Sequence, residues 1–164
     1  MSALSFEGAL PSFLSQELPM PALPDPDLQS EFYTDVAPKR LFAFLVDTGL
    51  IMLLVALAVL LTAFTGLLIL PFLMLCIGFL YRFVSLSRHS ATPGMRLMAI
   101  EFRTLDGATF TTGMAFWHTL GFSISLAIPL LQVISIGLML TSRRGQGLTD
   151  HLLGSVAIHR QAGS

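Results

Sequence analysis

One carboxylate, Asp47, lies inside the otherwise uncharged apolar run 41–62, directly after Lys39 and Arg40. An ionised carboxylate at the centre of a membrane helix costs roughly 2.5 to 3.5 kcal/mol, so it is expected to have a partner or a function. A buried carboxylate that accepts either a proton or a cation is the simplest ion-exchange device. Asp47 therefore predicts an intramembrane polar site.

A basic partner for Asp47 follows from the next apolar run. If 41–62 and 67–86 fold back about residues 63–66, Arg82 lies opposite Asp47. We therefore predict an Asp47–Arg82 ion pair, with Arg40 extending towards the lipid headgroups.

A second carboxylate, Asp150, follows two glycines that end a long apolar stretch. The ordinary interpretation is a helix cap, because an acidic group at a helix start is favoured by the helix dipole. Pairing at the membrane surface is the alternative. The candidate partners there are Arg40, Arg88 and Arg144.

Polar residues also recur every seven positions, at His118, Ser125 and Gln132. On a continuous helix they share one face. Hydrogen bonding between helices, worth about 0.6 kcal/mol per bond, is favoured over a polar pathway or proton relay. His118 is the most pH-sensitive of the three. With Arg144 it forms a secondary set of site candidates.

Composition indicates a membrane protein with one domain, because 54% of the 164 residues are hydrophobic and only 12% charged. Six acidic residues and no basic residue precede Lys39, whereas nine basic and four acidic residues follow from there. We predict that 1–37 is a disordered, proline-rich acidic tail, that 38–160 is the membrane domain and that 161–164 is a short tail. The acidic segment 1–38 is a candidate site for a protein partner.

The fold class predicted is an all-α membrane protein with a small cytoplasmic β-hairpin. Its bundle has three to four transmembrane or re-entrant helices, over 41–62, 67–86 and 113–140. Pro129 divides the last stretch, which is either one kinked span or, as we favour, two half-length helices.

The β-hairpin is predicted within 89–111. Residues 96–102 alternate in polarity, Asp106 and Gly107 form a turn signal, and 108–111 return as a second strand. Residues 155–158 are a candidate additional strand, and Thr111 or Thr112 is expected to cap the next helix.

Basic residues at the open end of the helical hairpin predict the topology. Since positive loops face the cytoplasm, both termini are placed there, in a multi-pass protein of the bacterial inner membrane.

Three short segments stand in order along the chain: residues 40–47 (RLFAFLVD), residues 92–96 (TPGMR), and residues 143–150 (RRGQGLTD) with 154–156 (GSV). Together they resemble a known family of membrane proteins, the RDD family, named for an arginine and two aspartates. The first resembles the opening of the family, the second its T-x-G-K-R loop and the third its closing segment. The resemblance covers 38–158 and implies that Asp150 is the second aspartate.

Three positions depart from the pattern of the family. Met95 replaces a usual lysine, which weakens the case for a basic loop that binds an anion. His118 lies near a position often held by arginine, and Ser155 replaces threonine. Some members are reported as sodium (lithium, potassium)/proton antiporters, and the resemblance implies at most this activity.

Two functional hypotheses follow. One is cation/proton transport that uses Asp47, with Arg40, Arg82 and Asp150 setting its charge and access. The other is a non-transporting structural or regulatory module, in which the Arg–Asp set locks the bundle and the acidic tail recruits a partner. We expect a homo-oligomer in the lipid bilayer, with no enzyme activity, no cofactor, no metal and no nucleic acid partner.

Overall fold

A computed structural model describes residues 23–160. Residues 1–22 and 161–164 lie outside the described part, together with the predictions made for them. Eight helices and strands form the fold. They are α1 (Val36–Leu61), α2 (Leu70–His89), α3 (Pro93–Leu97), β1 (Ile100–Thr104), α4 (Thr112–Ala127), α5 (Pro129–Thr141), α6 (Leu148–Leu153) and β2 (Ser155–His159).

Helices α1 and α2 form the predicted hairpin, joined by a 3-10 turn at Thr65–Ile69. With the turns that precede them they make two segments, Ser30–Leu61 and Thr65–His89, long and apolar enough to cross a membrane. Their large apolar side chains point outward, as in Leu53 (66% exposed) and Leu61 (77% exposed). Such a surface suits hydrocarbon rather than water.

The stretch 113–140 is broken, and the axes of α4 and α5 differ in direction by 115°. Pro129 is the first residue of α5, and Ile128 before it is extended. A proline ring disfavours helical backbone at the preceding residue, which explains where the break lies. The structure thus has the two shorter helices that we favoured. If they count as one bent span, the described residues contain up to three candidate spans.

The predicted pairing of 96–102 with 108–111 is wrong. Strand β1 instead pairs antiparallel with β2, with Phe102 opposite Ala157. Thr92 caps α3 by accepting a hydrogen bond from the Met95 amide, so the segment predicted as the start of the strand is helical. Residues 155–158 do form a strand, and Thr111 does cap α4.

The main buried core lies at the end of the bundle where the sheet is. It joins α1, α2 and α3 to the sheet and α4, through Val36, Leu86, Met95, Ile100 and Phe102. The best-packed region is therefore the one that joins the helices to the connecting segments.

A second, smaller cluster includes part of the segment predicted as a disordered tail. Leu23 and Tyr33 are buried against Val156 and Ile158 of β2. The Tyr33 hydroxyl donates to the Pro24 carbonyl over 2.7 Å. Residues 23–37 therefore pack against the sheet, because their apolar side chains cover its otherwise open face.

Candidate functional site

Asp150 is completely buried and lies where α1, α4 and α6 meet. Arg40 donates to its Oδ2 over 2.6 Å, and His118 Nε2 lies 2.9 Å from Oδ1. The Ser155 hydroxyl donates to Oδ1 over 3.0 Å. The two charged or titratable partners come from α1 and α4, so Asp150 links two apolar helices to the sheet.

The local sequence positions Asp150 for this role. It is the third residue of α6, and its Oδ2 accepts the amide hydrogen of Gly147, which precedes the helix, over 2.9 Å. The sequence prediction of a cap and the alternative of an arginine pair are therefore both met by one side chain. Of the three candidate partners, Arg40 makes the pair, whereas no ion pair to Arg88 or Arg144 occurs within residues 23–160.

Electrostatics keep Asp150 ionised. Burial alone raises the pKa of this carboxyl, but the Arg40 charge and the hydrogen bond from His118 outweigh burial. The result is a pKa well below its usual value of 3.8. The acid is therefore an anion at neutral pH, as a structural ion pair requires.

The prediction that Arg40 extends to the headgroups is wrong. Besides Asp150, its guanidinium donates to the Gly145 carbonyl over 3.1 Å and lies 5.1 Å from the centre of the Phe102 ring. Phe102 also packs on the His118 ring, with 4.5 Å between centroids. Arg40 turns inward because a buried anion and an open carbonyl offer it stronger interactions than water at the surface.

Asp47 is 1% exposed and accepts three hydrogen bonds. Its Oδ1 accepts from the Tyr81 hydroxyl over 2.7 Å and from the Gly94 amide over 2.8 Å. Its Oδ2 accepts from the Thr92 hydroxyl over 2.6 Å. All three donors are neutral, and they tie α1 to α2 and to the start of α3.

Gly94 is required here by the lack of space. A Cβ atom at this position would lie 2.7 Å from Asp47 Oδ1 and even closer to the Ala43 carbonyl oxygen. Only glycine therefore lets the backbone approach the carboxylate closely enough to donate its amide.

The predicted Asp47–Arg82 ion pair is wrong, since no ion pair within 4 Å joins the two among residues 23–160. The Arg82 guanidinium lies over the Phe122 ring, 4.0 Å from its centre, and 5.9 Å from the centre of the Phe44 ring. The predicted depth was correct, because Tyr81 is the residue that reaches Asp47. One residue along a helix is a rotation of about 100°, which turns Arg82 towards α4 instead.

The heptad residues divide between two contacts. His118 binds Asp150, whereas the Ser125 hydroxyl donates to Gln132 Oε1 over 3.2 Å, across the break between α4 and α5. The second contact is the interhelical hydrogen bond that we favoured over a pathway.

Sequence reasoning missed Tyr81, Gly147 and Ser155 as ligands of the two carboxylates. Tyr81 had a usable signal, since it adjoins the residue predicted to face Asp47. Thr92 and Gly94 belong to the segment 92–96 that resembles the family's loop, but nothing in the sequence connected that segment to Asp47.

A cavity of about 650 Å³ lies between α1, α2, α4 and α5, and we call it the interhelical cavity. Its lining is mainly apolar, and its polar members are Arg40, Asp47, Arg82, His118, Thr119 and Gln132. Within residues 23–160, no group of three or more His, Cys, Asp or Glu side chains is placed to hold a metal ion.

No match to this chain was found among curated proteins or among solved structures. The RDD family model matches residues 36–154, which is more than half of the chain and includes Arg40, Asp47 and Asp150. The chain therefore belongs to the RDD family and, given its apolar helices, is a membrane protein.

Proposed function

We propose that this chain is a multi-pass protein of the bacterial inner membrane with both termini in the cytoplasm. The support is the distribution of charge along the hairpin. No charged residue occurs in 48–81, which includes the turn between α1 and α2, whereas basic residues occur at the other end of both helices. Positively charged segments face the cytoplasm in membranes with an anionic inner leaflet.

Within that topology, the Arg–Asp set acts as a structural lock in a module that does not transport ions. The observation that carries this proposal is that Asp47 and Asp150 are both fully buried and fully hydrogen-bonded. Each binds the amide at the start of a short helix, Gly94 for α3 and Gly147 for α6. The lock thus holds the cytoplasmic elements on the ends of the apolar helices, with no catalytic step.

A module that neither transports nor catalyses is expected to act by binding other proteins. Its cytoplasmic surface carries the segment 23–37 folded against β2, which connects to the acidic residues before it. A protein partner for 1–38 and self-association of the apolar helices in the bilayer complete this proposal.

Cation/proton exchange is the second candidate, and one observation favours it. Asp47 lines the interhelical cavity, and no cationic side chain within residues 23–160 forms an ion pair with it. Arg82 acts on the Asp47 charge only through space, so no cation touches the carboxylate, and a small cation or a proton could take that position.

One experiment separates the two candidates. Wild type, Asp47→Asn and Asp106→Asn are reconstituted in vesicles that contain a trapped pH dye, and sodium, lithium or potassium is added outside. The lock predicts no proton movement in any of them, with a lower unfolding midpoint for Asp47→Asn alone. Asp106 is the matched control because it is an exposed carboxylate in a turn.

Proton movement in wild type that disappears in a folded Asp47→Asn protein would establish exchange and reject the lock as the whole function. Circular dichroism and gel filtration of each reconstituted variant show whether it is folded.

A further inference from the structure

The interhelical cavity contains a cation whose hydrogen-bonding capacity is unused. Arg82 is half-buried, and its guanidinium carbon lies over the Phe122 and Phe44 rings. A guanidinium has five N–H donors. Within residues 23–160 the contacts of Arg82 are these two rings and the through-space effect of neighbouring charges, with no side-chain hydrogen bond or ion pair. An aromatic ring attracts the charge of the guanidinium but has no lone pair to accept hydrogen bonds from its N–H groups.

The two neighbouring charges are already engaged. Arg40 is held by Asp150 and the Gly145 carbonyl, and both oxygens of Asp47 accept hydrogen bonds from α2 and α3. Arg82 nevertheless lines the same cavity as these residues. The Asp47 charge acts on Arg82 through space, but no described residue gives Arg82 a hydrogen-bond acceptor, and an anionic oxygen would supply one.

The remainder of the cavity is suited to hydrocarbon. Its walls include Phe122, Leu126, Ile136 and Leu140. Leu126 and Leu140 are also 49% and 72% exposed, so the cavity reaches the apolar flank of the bundle. Its volume of about 650 Å³ falls in the range of pockets that enclose an organic ligand.

The depth of Arg82 agrees with a lipid headgroup. It lies seven residues before His89, the end of α2, which corresponds to about 10 Å along the axis. With the end of α2 at the cytoplasmic surface, as in the topology proposed above, Arg82 would lie near the level where headgroups give way to acyl chains. Basic pockets between membrane helices on the cytoplasmic side are recognised sites for anionic headgroups.

We propose that the interhelical cavity binds one anionic phospholipid, with a phosphate oxygen on the Arg82 guanidinium and an acyl chain along α4 and α5. The phosphate accepts hydrogen bonds from the guanidinium N–H groups, and the acyl chain packs against the apolar walls of the cavity. This inference rests on the topology proposed above but not on the lock, since Arg82 forms no hydrogen bond or ion pair with Asp47 or Asp150, although the Asp47 charge acts on it through space.

Native mass spectrometry of the full chain in detergent tests the site. The probes are phosphatidylglycerol, phosphatidylcholine and inorganic phosphate alone. We expect one phosphatidylglycerol per chain, bound about tenfold more tightly than phosphatidylcholine, because the choline ammonium of phosphatidylcholine offsets the phosphate charge that attracts Arg82. Arg82→Gln should remove this preference and Arg82→Lys should retain part of it. Arg88→Gln, at the exposed end of α2, should bind as wild type does.

The proposal would be overturned if Arg82→Gln and Arg88→Gln preferred phosphatidylglycerol over phosphatidylcholine to the same degree. Displacement of the lipid by inorganic phosphate would also overturn it. If Arg82→Gln does not fold, Leu126→Trp provides the decision, because it fills the cavity and leaves Arg82 in place. It should weaken phosphatidylglycerol binding about tenfold, whereas Leu130→Trp on the exposed face of α5 should not. Unchanged binding in Leu126→Trp would overturn the proposal.

Discussion

Two aspartates in this molecule are equally buried but are stabilised in different ways. Asp150 is in contact with the Arg40 guanidinium and with His118, so its charge is balanced directly. Asp47 receives hydrogen bonds from Tyr81, Thr92 and Gly94, all of them neutral. Asp47 holds α3 against α1, and Asp150 holds α6 against α1 and α4, but only Asp150 does so as part of an ion pair with arginine.

The difference shows that a family motif does not assign one role to its two acids. Asp150 also contacts His118, Ser155 and the Gly147 amide, but its charge is balanced mainly by one distant cation, Arg40. Three neutral donors share the stabilisation of Asp47, so the loss of any one of them leaves the carboxyl with two hydrogen bonds. The lock is therefore expected to be fragile at Asp150 and tolerant at Asp47.

Arg40→Gln should have the largest effect on stability. It leaves the buried Asp150 without its cation, and breaking a buried pair in this way costs about 3 to 5 kcal/mol of unfolding free energy. The control is Arg143→Gln, because Arg143 pairs with Asp27 on the surface, with side chains 79% and 70% exposed. That loss should be at most about 1 kcal/mol.

Denaturant unfolding in detergent measures both losses. The double variant Arg40→Gln/Asp150→Asn should recover part of the loss, since no unpaired charge remains. Strict additivity of the two single losses would show that Asp150 does not depend on Arg40.

Acid should weaken the Asp150 contact, with a smaller effect than the arginine substitution. The pKa of Asp150 is lower in the folded state, so its stabilising contribution is complete above the ordinary value of 3.8. That contribution decreases as the pH falls below about 4 towards the depressed pKa of the folded state.

Unfolding midpoints between pH 6 and pH 3 measure this loss in wild type and in Asp150→Asn. The variant should lose less stability over that range, because it has no carboxyl to protonate there. Parallel curves for the two proteins would remove the ion pair from the explanation of acid sensitivity.

Gly94→Ala is the matching perturbation at Asp47, and it should cost about 2 to 3 kcal/mol. The new methyl group would displace the carboxylate or the start of α3, and overpacking of this kind costs roughly 1 to 3 kcal/mol. Gly49→Ala in α1 is the control, because Gly49 is exposed and a Cβ there meets nothing within 4 Å. It should be neutral or slightly stabilising, since alanine favours helix.

Thermal unfolding of both glycine variants in detergent provides the measurement. A loss at Gly94 no larger than that at Gly49 would mean that α3 can move away from Asp47 at little cost.

Local signals in the sequence predicted the apolar helices, the break at Pro129 and the Thr111 cap. Hydropathy, the fixed φ of proline and a threonine before a helix act over a few residues, so they can be read without the fold. The partner of β1 could not be read in this way, because β2 lies more than 50 residues further along the chain.

The site was predictable in its members but not in its pairs. Arg40, Asp47, Asp150 and His118 were all identified as candidates, yet Arg40 and Asp150 are 110 residues apart and were joined only as one of several options. The partner of Asp47 was missed by a single residue, since a one-residue change of register rotates a helix by about 100°. Which side chains pair depends on the rotation of each helix about its own axis, and hydropathy does not predict that rotation.

Tyr81→Phe should have the smallest effect on the free energy of unfolding, and the size of that effect tests whether Asp47 is an anion. A hydrogen bond to a charged acceptor contributes about 1.5 to 3 kcal/mol, against about 0.5 to 1.5 kcal/mol for a neutral pair. Thr92 and Gly94 remain to bind Asp47, so we expect a loss near the lower limit for a charged acceptor, about 1.5 kcal/mol.

The other tyrosine provides the matched control, because Tyr33 donates to the neutral Pro24 carbonyl over the same 2.7 Å. Denaturant unfolding of Tyr81→Phe and Tyr33→Phe in detergent compares the two bonds. A larger loss at Tyr81 would mean that neutral dipoles hold a charged Asp47, which sharpens the contrast with Asp150. Equal losses would mean that the acceptor is a neutral carboxyl, and Asp47 would then need no cation at all.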